Sequence, residues 1–388
     1  IFWMWVVAAI GMATALIEAT LGQIFKVRAD DGSFRGGPAY YIQRGLGSRA
    51  GGVVFAILLI FTFGIAFNMV QANAISDVVN GAYAIDVRWI TAGLVILAAP
   101  VLFGGVRRVA QVAEIVLPLM AVVYALLALV IVALNISYLP EVLVQIVGGA
   151  FGLTELAGGF AGGIAAALLN GVKRGLFSNE AGMGSVPNVA ATATVSHPVK
   201  QGLIQSLGVF VDTMIICTAT AFIILVSGPS IYDPATPTRV EGATLTQAAI
   251  ADSLGTWTVS LMTVLVFVFA FSSVLGNYVY AEINLFFLGA GRKTINVFRV
   301  FVLMAIGVGG VSKLTAVWAL ADVAMGLMAL VNLVAIVLLG KWAFAAIKDF
   351  HQQSDAGADP VFIAEEADLP GHLFGDIWSR PAPVGSKT

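Results

Sequence analysis

Long apolar runs separated by short polar segments fill the chain from its first residue to about residue 340. Runs of about 20 apolar residues match the ~30 Å hydrocarbon core of a bilayer and argue for helices, not for barrel strands. The pattern predicts nine spans, at about 1–25, 51–79, 89–104, 109–137, 158–194, 201–227, 257–285, 296–312 and 314–340. Residues 1–348 are therefore expected to form an all-α polytopic membrane domain.

The fifth run is too long for one simple helix, and it contains "KRGLFSNEAGMGS" at 173–185. Glycines at 171, 175, 182 and 184, with Pro187 behind them, predict an interrupted helix. Unwound backbone at membrane depth persists where it lines protein or a water-filled cavity, where its freed N–H and C=O groups can hold ions. A second reading stands beside it: "KRG" ends the span at the cytoplasmic face and the rest is a loop.

Composition adds to the membrane reading. Of 388 residues, 59% are hydrophobic and 11% charged, with a mean hydropathy of +0.94. That leaves little surface for nucleic acid. Cys217 is the single cysteine, so no intrachain disulfide forms. If the first span runs inward, 17 of the 20 Lys and Arg residues fall on the cytoplasmic side, together with the C-terminus. The acidic, proline-containing stretch 349–388 reads as a poorly ordered cytoplasmic tail. The chain opens inside an apolar run with no charged leader, which suggests that an N-terminal segment precedes it.

Ionisable groups within spans are expensive, and here they are Glu18, Asp77, Glu114, Asp212, Glu282 and Asp322, with Glu180 in the fifth run. Asn68 and Gln71 share a helical face, and amides that donate and accept suit a zwitterionic solute or interhelical bonding. Ser272 and Ser273, with the carbonyl of Phe269, offer hard oxygens to a small cation, or simply bond back to their own helix. Asn277 lies four residues beyond Ser273 on the same face.

Several stretches together resemble the alanine or glycine:cation symporters, also called sodium:alanine symporters. They are "IFWMWVVAAIGMATALIE" at 1–18, "GGPAYYI" at 36–42, "NMVQAN" at 68–73, "GVKRGLFSNEAGMGSVPNVAA" at 171–191 and "VWALADVAMGLMALVNL" at 317–333. The resemblance implies the inverted-repeat amino-acid symporter fold (LeuT-like, of the APC superfamily). The nine spans would be its second to tenth core helices, and the first core helix, with its "GTGN" segment, would be lacking. It points to Asn68, Gln71, Gly171, Phe177, Ser178, Asn179, Ser273 and Asn277 as substrate-binding residues. It points to Ser272 and Ser273 as the hydroxyls of the Na+ site, beside the Phe269 carbonyl that the residues themselves offer. The chain departs from the family at Asn170 and Asn277, where tryptophan is common, and an amide there favours a larger or more polar solute.

The expected function is symport of a small neutral amino acid, alanine or glycine, with Na+ as coupling ion and no organic cofactor. It would act by alternating access as a monomer in a prokaryotic inner membrane. Proton coupling through Asp212 or Asp322 and a passive ion channel are the alternatives. An intramembrane enzyme is disfavoured because no histidine accompanies Ser178; His197, His351 and His372 lie elsewhere.

Overall fold

A computed structural model describes residues 1–30, 32–104, 106–152, 160–233, 241–373 and 375–380, with backbone alone at 106–115 and 160–161. The side chain of Glu114 and the tail end 381–388 thus lie outside the described residues. Among the described residues the architecture is helical, apart from a two-residue hairpin pairing β1 (Val27–Arg28) with β2 (Phe34–Arg35).

Eight described helices are long and apolar enough to cross a bilayer. They are α1 (Phe2–Ile24), α3 (Arg49–Tyr83), α4 (Val87–Gly104), α5 (Val106–Leu134, apolar from Val116), α9 (Pro198–Leu225), α11 (Thr258–Phe287), α12 (Arg292–Val311) and α13 (Leu314–Asp355). Shorter helices fill the connections: α2 (Pro38–Gly45), α6 (Leu139–Ala150), α7 (Phe160–Asn179), α8 (Val186–Ala190) and α10 (Ala243–Leu254). The fifth expected span, whose first residues 158–159 lie outside the described part, is thus two helices, α7 and α8, joined by unwound backbone.

Helix packing follows from small residues. A Cβ on Gly309 of α12 would lie 2.3 Å from the Met69 Cα of α3, so only glycine allows that approach. In the same way α1 lies against α9, where Gly202 faces the Leu16 carbonyl and Thr20. Such contacts pair α1 with α9 and α3 with α12, and α3 also packs on α11 and α4 on α12. Two of the long helices contain a π-helical turn, Thr62–Phe67 in α3 and Phe210–Cys217 in α9. Such turns shift the helix register and recur at functional positions.

The α13 helix carries 42 residues, about 63 Å at 1.5 Å per residue, and passes through residue 348 without a break. The stretch that composition reads as loose then folds back at the Lys26 end of the bundle. The Phe362 N–H donates to the Ser196 carbonyl (2.9 Å) and the Trp378 indole to the Gln23 carbonyl (3.0 Å). Phe362, Ala367 and Trp378 are buried there. These few apolar side chains anchor the polar stretch because they fill a gap between the end of α1 and the α8–α9 connection. Lys26 lies over the Phe34 and Trp378 rings, and burial pulls its pKa down to about 8.

Candidate functional site

The site is built around the end of α7. The helix runs through Lys173 and Arg174 to Asn179, and the chain then leaves it with Glu180 at φ 57°, Gly182 at 86° and Gly184 at 82°. Left-handed backbone of this kind disfavours side chains, and a Cβ on Gly184 would strike Pro38 and Asn332 at under 3 Å. Pro187, within the first turn of α8, restarts the helix. The interruption is therefore at 180–185, six residues beyond Arg174.

Just above the break lies a cavity of about 410 Å3. It is walled by Phe177, Ser178 and Glu180 from α7 and the break, Phe67 and Gln71 from α3, Asp212 from α9, and Ser273, Gly276, Asn277 and Tyr280 from α11. Asp212 is 14 residues from Pro198 and 13 from Leu225, about 20 Å from either end of α9. Ser273 is similarly central in α11, 15 residues from Thr258 and 14 from Phe287. The cavity is thus near mid-membrane depth.

Its walls carry opposite chemistries. The Ser178 hydroxyl donates to Asp212 (2.5 Å), as does Thr213 (3.0 Å), and Tyr280 hydrogen-bonds Glu180. Among the described residues no cation pairs with Asp212 or Glu180, so this wall presents carboxyl oxygens to the cavity. Facing it are amides. Asn277 donates to Asn68 (3.1 Å), Asn68 donates to the Gly64 carbonyl (3.1 Å), and the Gln71 amide has no partner among the described residues. Aromatic rings close one side, with Phe67 against Phe177 and Phe177 against Trp318.

Five of the expected site residues therefore meet in one cavity: Gln71, Phe177, Ser178, Ser273 and Asn277. Asn68 is fully buried behind Asn277. Asn179 turns away, donating to Thr213 and accepting from the Ala181 N–H. Gly171 is a packing point, where a Cβ would meet Trp3 at 2.5 Å, and the exposed Asn170 lies beside it in a different cavity. Ser272 and Ser273 both donate to the Phe269 carbonyl, at 2.8 and 2.9 Å. In this conformation all three expected cation ligands thus satisfy one another on a continuous helix.

Two clusters flank the cavity. Toward the Lys313 end, Lys173 and Arg174 both pair with Asp322 of α13, and Arg174 lies over Trp318. Both cations stay about a third exposed, at 35% and 36%. Toward the Lys26 end, the buried Glu18 accepts from the Gly182 N–H (3.2 Å) and from Asn332 (2.8 Å). Asn332 also donates to the Gly182 carbonyl and accepts from Tyr41. Sequence reading singled out Glu18 as a membrane carboxylate without its partners, which come from the break and from α13. It did not single out Tyr280 or Phe67, although Tyr280 stands three residues after Asn277 on the same helical face.

A polar mid-membrane cavity at a broken helix, flanked by rings and an ion-paired cluster, is the arrangement of a polytopic transporter. The sequence profile of the sodium:alanine symporter family matches residues 1–364, and the chain belongs to that family. It is 48% identical over 378 residues to the amino-acid carrier protein AlsT of Bacillus subtilis, covering 97% of this chain and 78% of that protein. It is 49% identical to the probable sodium/glutamine symporter GlnT of the same organism, covering 97% and 77%. Against the sodium/alanine symporter AgcS of Methanococcus maripaludis the identity is 37%, covering 91% and 77%.

Proposed function

We propose that the protein couples uptake of a small neutral amino acid to Na+ by alternating access, in a prokaryotic inner membrane with its C-terminus cytoplasmic. The observation that carries this reading is the cavity itself, where electronegative groups face amides at mid-membrane depth. A zwitterion's ammonium fits beside Asp212 and the carbonyl end of α7, where the helix dipole is also favourable to a cation. Gln71, Asn277 and Ser273 then meet the rest of the solute. Phe177 and Phe67 exclude water above it, and Asn68, Asn179 and Gly171 act by holding neighbouring groups in place.

In the inverted-repeat reading, residues 1–348 are the transport domain and α1, α3, α4 and α5 repeat as α9, α11, α12 and α13. The pairing of α1 with α9, α3 with α11, and α4 with α12 supports it. Na+ as coupling ion is bound when Ser272 and Ser273 rotate from the Phe269 carbonyl and all three oxygens turn to the cation. Asp212 also supports a second reading, proton coupling, since it faces the cavity with hydroxyl partners only. Asp322 does not, being paired with two cations.

The test is uptake of labelled alanine by the full-length protein in liposomes. Uptake driven by an inward Na+ gradient and indifferent to a pH gradient is expected. Uptake driven by a pH gradient without Na+ moves the assignment to Asp212, and non-saturable flux of either ion overturns symport.

A further inference from the structure

The amide wall of the cavity has a fixed polarity. The Gly64 carbonyl can only accept, so Asn68 must turn its NH2 to it, at 3.1 Å. The Asn68 oxygen then faces Asn277, which must answer with its own NH2, again at 3.1 Å. The chain of bonds ends at the Asn277 Oδ1, which has no partner among the described residues and belongs to a residue lining the cavity. Asn68 is completely buried and Asn277 is 4% exposed, so no bulk water competes for this order. One wall of the cavity thus presents a directed acceptor. Beside it Gln71 presents a donor and an acceptor, both unpartnered. Gly276 adds room, since a Cβ there would meet nothing within 4 Å.

We propose that the Asn68–Asn277 relay, with Gln71, makes this protein selective for amino acids with a side-chain carboxamide, glutamine or asparagine. This rests on the symport reading. A primary carboxamide has two N–H donors and one carbonyl acceptor, which answers Asn277 Oδ1 and the two ends of the Gln71 amide. The ammonium lies at the opposite wall, beside Asp212 and Ser178, so the long axis of the solute crosses the cavity. A methyl side chain leaves the amides unanswered, and sites built to bond a polar group reject analogues lacking it strongly. Asn68 touches no solute; it is a positioning residue that sets which atom of Asn277 faces inward.

The experiment is Na+-driven uptake into liposomes by the full-length protein, measured for glutamine, asparagine, methionine and alanine. Glutamine or asparagine is expected to have the highest kcat/KM, and methionine, of similar length without the amide, to compete poorly. In Asn277→Leu, the ratio of kcat/KM for glutamine to that for alanine falls at least about tenfold. Asn68→Leu produces the same loss of selectivity, and Asn68→Asp, whose protonated carboxyl donates to the Gly64 carbonyl and accepts from Asn277, restores it. Na+-driven uptake of alanine with no preference for carboxamides in the unaltered protein overturns the proposal and leaves symport standing. So does an equal fall for all solutes in Asn277→Leu. No Na+-driven uptake of any amino acid overturns the symport reading itself. The methionine competition needs no variant and decides the matter if the substitutions do not fold.

Discussion

The two sides of the break in α7–α8 are built from the same residue types and treat them in opposite ways. On the Lys26 side, Glu18, Asn332, Tyr41 and Gly182 form a closed set, each buried polar group meeting a named partner. On the cavity side, Gln71 and the Asn277 oxygen have none. In a membrane an unmet polar group is expensive unless water or a ligand completes it. The closed set therefore holds the unwound backbone in place, while the open set is what remains for a solute.

Breaking the closed set gives the largest expected effect. In Glu18→Leu the Gly182 N–H loses its acceptor and Asn332 loses one of two. At about 1–3 kcal/mol for each unmet buried group, the loss of stability is about 2–6 kcal/mol. Thermal unfolding of the purified protein in detergent should show a clear drop in Tm, with uptake lost as well. Gln71→Ala is the counterpart from the open set. It should leave Tm almost unchanged and raise KM for the amino acid by about tenfold, the equivalent of about 1.4 kcal/mol of lost contact. Equal destabilisation by the two substitutions would remove the distinction between the sides.

What the sequence made legible follows the same division. Helices were readable because bilayer length and apolar runs leave few alternatives, and the break was readable from Gly182, Gly184 and Pro187 in one run. Gln71 and Asn277 stood out as amides in apolar helices. The partners of Glu18 did not, because Asn332 is 314 positions away and no local spacing encodes the contact. The folded-back segment around Trp378 was also hidden, since composition averages a few anchoring apolar residues into an acidic stretch. Gly171 misled for a related reason: a glycine before a break looks like part of the break, whereas here it admits Trp3.

Ser273 lies between these extremes, lining the cavity yet bonded to its own Phe269 carbonyl. Replacement by alanine removes one oxygen from the proposed cation set and one helix-internal bond of little net value. The expected result is a severalfold rise in the Na+ concentration for half-maximal uptake, with Tm unchanged. A rise in the amino-acid KM at saturating Na+ would instead assign Ser273 to the solute.

The smallest expected effect is a pH response on the closed side, at the connection between α8 and α9. His197 is fully buried, bonded to Asp349 at 3.1 Å and to the Val199 N–H, with Phe350 and Phe362 against its ring. Lys200 is the nearby cation. Burial lowers its pKa below the ordinary 6.5, and the hydrogen bond and charge of Asp349 only partly oppose this. A lowered histidine pKa favours the neutral form in the folded state. Its contribution is therefore complete above pH 6.5 and is lost as pH falls from there through the folded-state pKa. Limited proteolysis of residues 356–380 should accelerate modestly as pH falls below 6.5, and His197→Gln should flatten that dependence. Cleavage that is independent of pH in the unaltered protein would show that Phe362 and Trp378 hold the segment without help from His197.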